Sequence, residues 1–293
     1  MANLGQIISE KSAADSQWQQ QRKAERENTT ALQDAGIIEI TTKPQAYAHF
    51  LDLQGDNPAY SAGNIALIHM QFPEATIFGT VERWKTLGRF VLDEERQNGA
   101  KIFSRGAQGR GYILANAYDI TQTQGRELAR PTLQEGSREM DAALRKILDF
   151  TQVPVMQDAE LPMPAYYDQN DMTLAINPNT PDHEAFAAIA TEIALVRFHN
   201  KGRSAGYNRE DCELDAQSVS YILCRRFGID RAKPDMSRLS ELYAGWPAPD
   251  RRQALDSIQD MSKMIGTSIE REITPQQRTI QVNRRPPARQ GPR

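Results

Sequence analysis

Residues 188–202 read AIATEIALVRFHNKG and residues 209–230 read REDCELDAQSVSYILCRRFGID, and these two stretches decide the fold of the chain. Their apolar residues recur at helical spacing, which predicts two long helices over 182–199 and 209–227. The same part of the chain carries further helical patterns at 137–150 and 251–267 and a hairpin pattern at 165–178. We therefore predict a mainly helical unit over 135–270.

The part of the chain that precedes this unit has a different pattern. Between 75 and 120, short β-rich runs (ATIFGT, GRFVLDE, AKIFSRG and GYILANAYDI) are separated by glycines, after two helical stretches. Residues 34–126 are therefore predicted to form a small mixed domain with helices and an antiparallel sheet. Together the two units predict an α+β fold class.

The two ends of the chain are polar. Residues 1–33 are rich in Gln, Glu, Lys and Arg but poor in apolar residues, which predicts a polar helical or partly disordered segment. After Glu272 there are five arginines and no acidic residue, with Pro286 and Pro287 among them. Residues 271–293 are therefore predicted to be a disordered basic tail.

Composition limits the functions that the chain can have. Its 293 residues are 39% hydrophobic and 25% charged, with a net charge of −3, so a nucleic-acid site must be a local basic patch. Two cysteines are too few for a disulfide framework. No apolar run approaches the roughly 20 residues that cross a bilayer, and no secretion signal is visible. A cytoplasmic protein without a membrane partner is predicted.

The two long helices contain part of the residue pattern of a zinc site. A zinc peptidase needs two histidines one helical turn apart, a glutamate beside the first histidine, and a third ligand from another helix. The stretches TEIAL at 191–195 and ELDAQSVSY at 213–221, with the Phe-Gly-Ile end, resemble the peptidase half of ArdC-like antirestriction proteins. In that family a His-Glu-x-x-His helix is followed by a Glu-x-x-Ala-Glu helix. The resemblance implies a zincin-like domain.

This chain departs from the family pattern at the residues that would bind the metal. Thr191 and Leu195 replace the two histidines, and Gln217 replaces the last glutamate of the second motif. Only Glu192 and Glu213 match, and a leucine side chain cannot bind a metal. We therefore predict no catalytic residue, no metal ligand and no cofactor, with Glu192 and Glu213 as vestigial positions.

Two alternatives for these glutamates stay open. Each is equally well interpreted as a helical glutamate in an ion pair with an arginine such as Arg225 or Arg226. A metallopeptidase-like enzyme would instead need a metal held by Glu192, Glu213 and further residues. His183 and His199 lie about two helical turns from this motif, too far to join one metal site.

The predicted sheet carries a local basic and aromatic cluster. Seven basic residues and three acidic residues lie between 83 and 110, with Trp84, Phe90 and Phe103 interleaved. A strand platform with cations for phosphates and aromatic rings for bases is what single-stranded nucleic acid needs. The alternative is an ordinary sheet, because aromatic residues at strand spacing are more often core residues.

Three stretches add a resemblance to this pattern. NPAYSAGNIALIHMQFPEAT at 57–76, VERWKTLGRFV at 81–91 and YDITQTQG at 118–125 are similar to the N-terminal domain of the ArdC family. That domain is associated with single-stranded DNA. One departure is the run LDEERQNGAK at 92–101, which is more acidic than the family pattern.

The resemblance implies roles for individual residues. The residues predicted to contact phosphates are Arg83, Lys85, Arg89 and Lys101, and those predicted to stack on bases are Tyr60 and Trp84. Asn64 and Gln122 are instead expected to be structural, because they can cap a helix and close the sheet.

The function implied by both resemblances is that of a single-stranded-DNA-binding protein of a mobile genetic element, acting in antirestriction. Its partners would be single-stranded DNA and, through 135–270, another protein for which the inactive peptidase-like domain is a scaffold. The alternatives are a metallopeptidase-like enzyme with an atypical site, and a protein-binding adaptor that does not bind DNA.

Overall fold

The computed structural model describes residues 3–106, 111–200 and 207–274 and has the predicted α+β fold. The helices are α1 Leu4–Ile40, α2 Pro44–Asp56, α3 Ala62–Gln71, α4 Val81–Thr86, α5 Arg138–Leu148, α6 Asp182–Asn200, α7 Arg209–Arg226, α8 Leu239–Leu242 and α9 Ala248–Ile273. The strands are β1 Phe78–Thr80, β2 Arg89–Val91, β3 Ala100–Arg105, β4 Tyr112–Asp119, β5 Thr123–Gly125, β6 Val155–Gln157, β7 Ala165–Asp168 and β8 Thr173–Ile176.

Helix α1 begins at a capping box and runs past the predicted boundary at residue 33. The Asn3 side chain accepts a hydrogen bond from the Gly5 backbone N–H, and Gln6 completes the box. The first six turns are exposed, whereas the end of the helix is buried on the body of the protein. Gly36 makes this contact close, because an added Cβ would lie 2.9 Å from the Ala66 carbonyl oxygen.

Strands β1, β4 and β3 form an antiparallel sheet in the order β1-β4-β3. Helix α3 covers the outer edge of β3 with two side-chain amides. Asn64 accepts from the Phe103 N–H and donates to the Phe103 carbonyl, and Gln71 pairs in the same way with Lys101. These four hydrogen bonds, 2.8–3.0 Å long, satisfy an edge that would otherwise be open. Asn64 is structural, as predicted, but its side chain closes the sheet edge, and α3 is capped by the Ser61 side chain, which accepts from the Asn64 N–H.

Gln122 is structural too, as predicted. Its side chain accepts from the Asp119 N–H and donates to Glu95 and to the Asn98 carbonyl, so it fixes the turn after β4 against the loop before β3. Strands β2 and β5 form a separate antiparallel pair next to this turn.

The second half is built around helices α6 and α7. Helix α6 is buried on nearly all sides, with Phe186, Ile193 and Leu195 fully inside the core. One side of α6 contacts β7, which belongs to a three-stranded sheet in the order β6-β8-β7. The β7–β8 hairpin is antiparallel as predicted, whereas β6 pairs with β8 in parallel.

The two halves share one hydrophobic core. Helix α2 packs on α7, where the Tyr47 hydroxyl lies 2.9 Å from the Ser218 hydroxyl. Asp56, almost fully buried, forms ion pairs with Arg225 of α7 at 2.8 Å and with Arg130 at 2.8 Å. The predicted boundaries at 126 and 135 therefore do not separate two independent cores.

The predicted ends of the chain fit this fold only in part. Residues 271–273 of the predicted tail close helix α9, and residues 275–293 lie outside the described residues. No helix among the described residues is long and apolar enough to span a membrane.

Two histidines join helices α2 and α3. The Nδ1 atoms of His49 and His69 lie 2.8 Å apart, so one ring donates and the other accepts, which requires at least one neutral imidazole. Burial lowers the pKa of both rings. The charged groups that face the pair are Asp52, Glu74 and Lys233 beside His49, and Glu39 and Lys43 beside His69.

We expect the free energy of unfolding to decrease as the pH falls through about 6.5, the usual pKa of histidine. The folded state keeps the His49–His69 pair neutral below this pH, whereas the unfolded chain takes up protons, so acid favours unfolding. The test is the urea midpoint at several pH values from neutral to mildly acidic. The double variant His49→Asn/His69→Asn should show a flatter dependence, and an unchanged slope would contradict the assignment.

Candidate functional site

The two vestigial glutamates are joined by an arginine. Arg209, the first residue of α7, places its guanidinium between Glu192 of α6 and Glu213 one turn further along α7. Its Nη2 and Nη1 atoms donate to the two carboxylate oxygens of Glu192 at 2.6 and 2.9 Å, and its Nε lies 3.4 Å from Glu213. This is the fork geometry that suits guanidinium and carboxylate.

The position of Glu192 explains why it needs this partner. Glu192 is only 4% exposed, and Oε2 also accepts a hydrogen bond from the Tyr167 backbone N–H of β7 at 2.8 Å. Burial alone would lower the pKa of Arg209, but the hydrogen bonds and charge of Glu192, with the charge of Glu213, raise it. The guanidinium carbon also lies 5.0 Å from the Tyr166 ring centroid. The site therefore contains a permanent positive charge.

The other positions of the motif are also occupied by structural contacts. The Thr191 hydroxyl donates to the Ala187 carbonyl of its own helix at 3.1 Å, and Leu195 is fully buried in the core. Gln217 donates to Glu213 at 2.8 Å. Glu192 and Glu213 line a cleft of about 390 Å³ beside β7. The cleft therefore contains two carboxylates, and both form ion pairs with Arg209.

These residues do not fit a metal ion. Zinc needs three or four nitrogen, sulfur or oxygen ligands that converge on one point, and here an arginine lies at the point where the carboxylates converge. Within 3–106, 111–200 and 207–274 there is no group of three or more His, Cys, Asp or Glu side chains that could hold a metal.

Glu192 and Glu213 do form ion pairs with an arginine, as the alternative predicted, but the arginine is Arg209 and not Arg225 or Arg226. Arg225 pairs with Asp52 and Asp56, and Arg226 pairs with Glu270 of α9. The partner is Arg209 because the N-terminus of α7 lies against the middle of α6, where the buried carboxylate is.

The nucleic-acid residues predicted from the first half do not all share one surface. Trp84 is fully buried, and its Nε1–H donates to the Tyr118 carbonyl at 3.0 Å. The prediction that it stacks on a base needs correction, because a base requires an exposed ring face. Helix α4 is short, and its one buried side chain is the tryptophan that fixes it to the sheet.

Arg89 is also engaged inside the protein. Its guanidinium donates to the Thr123 hydroxyl, the Thr123 carbonyl and the Arg126 carbonyl, each at 2.8 Å. These bonds close the β2–β5 pair, so the predicted phosphate contact would cost the arginine its structural partners. Lys101 forms an ion pair with Glu25 of α1 at 2.7 Å, so a phosphate there would have to displace a carboxylate.

Three predicted residues keep accessible side chains. Arg83 and Lys85 of α4 are exposed, and neither forms an ion pair within the described part of the chain. Tyr60 is half-buried, with its ring centroid 4.4 Å from that of Phe78. Burial raises the pKa of Tyr60, and a backbone hydrogen bond at Thr80 and the charge of Arg83 oppose this. The charge of Arg83 therefore acts on the Tyr60 hydroxyl.

Tyr60 lies at one wall of a cavity of about 670 Å³ between β3 and helix α9. Strand β3 contributes Phe103 and Arg105, and Tyr112 lies opposite Arg105 in the β3–β4 register. The alternation of a strand places these three residues on one face of the sheet. Tyr112 is 56% exposed, and its ring is available to a ligand.

Helices from distant parts of the sequence contact these strand residues or line the cavity. Arg26 of α1 donates to the Tyr112 carbonyl at 2.7 Å, and its guanidinium carbon lies 5.6 Å from the Phe103 ring centroid. Helix α9 presents Asp256, Asp260 and Lys263 from the other side. No sequence pattern links α9 to the sheet, so these residues could not be found without the fold.

No protein-family model matches the chain. Its structural neighbours include two crystal structures of the antirestriction protein ArdC from plasmid R388. The Mn(II)-bound form is 16% identical with a TM-score of 0.48, covering 85% of this chain and 99% of that one. The metal-free form is 16% identical with a TM-score of 0.47, covering 84% and 97%.

A relative is also found among curated sequences. An uncharacterized protein of Bacillus anthracis is 20% identical, and the match covers 88% of this chain and 54% of the relative. The chain therefore spans about half the length of that relative.

We expect Arg209→Met to lower the free energy of unfolding by about 3–5 kcal/mol, because it leaves the buried Glu192 carboxylate without its counter-charge. Urea unfolding measures this loss. The double variant Glu192→Gln/Arg209→Met should recover most of it, since glutamine still accepts from the Tyr167 N–H.

The matched control is Arg238→Met. Arg238 also lies between two carboxylates, Asp211 and Glu241, but on the surface, where such pairs contribute about 0–1 kcal/mol. If the Arg209 and Arg238 variants were equally stable, Arg209 would not have the role described.

Proposed function

We propose that the chain is a single-stranded-DNA-binding protein of a mobile genetic element, that it acts in antirestriction, and that 135–270 form a catalytically inactive, peptidase-like scaffold. One observation carries the DNA-binding part. Arg83 is exposed and forms no ion pair within the described residues, its charge reaches Tyr60, and Tyr60 lines a cavity that also contains Phe103, Arg105 and Tyr112. Cations next to accessible aromatic rings are the requirement for binding an unpaired strand.

The pairing of the other cations in this half supports the same surface. Arg89 is bound to carbonyl groups, Lys101 to Glu25, and Arg96 to Asp93 at 2.9 Å. Arg83, Lys85 and Arg105 have no such partner within the described residues. A phosphate that binds any one of these cations displaces only water and counterions, which favours binding at low salt.

The shape of the surface favours a single strand over a duplex. The aromatic rings line a cavity between β3 and α9, where an unstacked base can contact a ring face. A duplex keeps its bases stacked and presents phosphates alone, which would contact the outer cations without using the rings.

The scaffold part of the proposal depends on Arg209. A peptidase needs a glutamate that is free to take a proton from water bound to a metal. Both oxygens of Glu192 accept hydrogen bonds from Arg209, and one of them also accepts from Tyr167, so this carboxylate has a structural role. A protein partner would therefore bind the surface of 135–270, and no catalysis by this domain would be needed.

The test is fluorescence anisotropy of a labelled oligonucleotide, single- and double-stranded, at about 50 and 200 mM salt. We expect tighter, salt-sensitive binding of the single strand. The variant Arg83→Ala/Lys85→Ala should weaken binding of every sequence and make the slope of log affinity against log salt shallower by about 1.4, because two phosphate contacts are lost.

The control is Arg96→Ala/Lys146→Ala, which removes the same charge from residues already paired with Asp93 and Asp149. It should bind like the natural protein. An equal loss of DNA affinity in the two double variants would mean that only net charge determines binding. If the natural protein binds no DNA at low salt, the alternative of a protein-binding adaptor is favoured.

Metal analysis of the purified protein separates the proposal from the metallopeptidase alternative. A stoichiometric metal whose removal lowers the unfolding temperature would support the alternative.

A further inference from the structure

The cavity between β3 and α9 has two chemically different sides. The sheet side carries Phe103, Arg105 and Tyr112, and Tyr60 lies at one wall. The α9 side carries two carboxylates, Asp256 and Asp260, one helical turn apart, and the cation Lys263 three residues after Asp260. Arg105 on the sheet side offers a contact to a phosphate, and only the α9 side offers carboxylate acceptors to a base. We therefore expect the base of a bound nucleotide to face α9.

The two carboxylates are not equivalent. Asp256 accepts a hydrogen bond from the Ala62 backbone N–H at 2.9 Å, so it caps the start of α3 and is partly used by the fold. Asp260 is exposed and forms no hydrogen bond or ion pair within the described part of the chain. It is therefore the carboxylate that a ligand can use without a loss of stability.

We propose that this cavity binds one unpaired guanine base of single-stranded DNA, with Asp260 accepting two hydrogen bonds from the base and Tyr112 covering the ring. The inference rests on the DNA binding proposed above and adds a base preference to it.

Hydrogen-bond chemistry selects guanine. An ionised carboxylate only accepts hydrogen bonds, so it needs a base edge with two adjacent donors. The Watson–Crick edge of guanine presents N1–H and N2–H side by side. Thymine has one donor between two acceptors, and cytosine and adenine place a ring acceptor next to their amino group. The acceptors of these three bases would face the carboxylate and be repelled.

The volume and the walls of the cavity suit one base. About 670 Å³ lies within the range of small-molecule sites, and the aromatic rings supply a flat apolar surface. Gln259 of α9 is buried and donates to the Pro58 carbonyl at 3.1 Å, which fixes α9 against the loop before Tyr60. The distance between the acidic and aromatic sides is therefore set by the fold.

The experiment compares the affinity of the full chain for three oligothymidylates that differ at one central position: guanine, hypoxanthine or thymine. Hypoxanthine keeps N1–H but lacks the N2 amino group, so it is a matched probe of the second hydrogen bond. We expect guanine to bind at least about fivefold more tightly than thymine, with hypoxanthine between them.

Two variants locate the effect. Asp260→Asn replaces the two acceptors with one acceptor and one donor, so the guanine preference should disappear while binding of oligothymidylate stays equal or improves. Tyr112→Leu should weaken all three oligonucleotides, because stacking does not depend on the base. Asp93→Asn removes an exposed carboxylate elsewhere in this half. It should change neither the guanine preference nor the affinity for the three oligonucleotides.

The outcomes separate the two proposals. If the natural protein binds none of the oligonucleotides, the proposed function itself is wrong. If it binds all three equally, DNA binding stands and the guanine site is overturned. A guanine preference that survives Asp260→Asn likewise overturns the site.

Discussion

The buried carboxylate of Glu192 needs a positive charge, and the chain supplies it from Arg209. A single unpaired carboxylate in a protein core costs several kcal/mol, so the helix pair α6–α7 depends on this interaction. The same carboxylate binds the Tyr167 N–H, which attaches β7 and its sheet to the helices. One ion pair thus holds together three elements of the second half.

The position of α7 also determines how the two halves pack together. Because α7 is held in place by α6, its outer side is available to pack on α2, where Arg225 pairs with Asp56. Helix α9 packs on α7 and also on α1 and α3 of the first half, and it lines the cavity beside β3. The candidate DNA site therefore exists only when both halves are folded together, although its aromatic residues all come from the first half.

Much of this fold can be predicted from the sequence, for identifiable reasons. The α+β class and the long helices α6 and α7 follow from the helical and β-rich patterns of the sequence, and the departure from the zinc-peptidase pattern is visible at Thr191 and Leu195. The burial of Trp84 does not follow, because an aromatic residue in a basic stretch has the same pattern whether it faces the core or a ligand. The Arg209 ion pair and the Asp260 wall depend on contacts between distant segments, which a sequence pattern does not specify.

The central claim is that an unpaired strand contacts the surface from Arg83 through Tyr60 to the cavity beside β3. The most direct measurement is photocross-linking of a 5-iododeoxyuridine oligonucleotide to the full chain, followed by mass spectrometry of the linked peptides. The account predicts cross-links at Tyr60, Phe103 or Tyr112, the accessible rings of this surface. Cross-links confined to 135–247, away from the cavity, would contradict it.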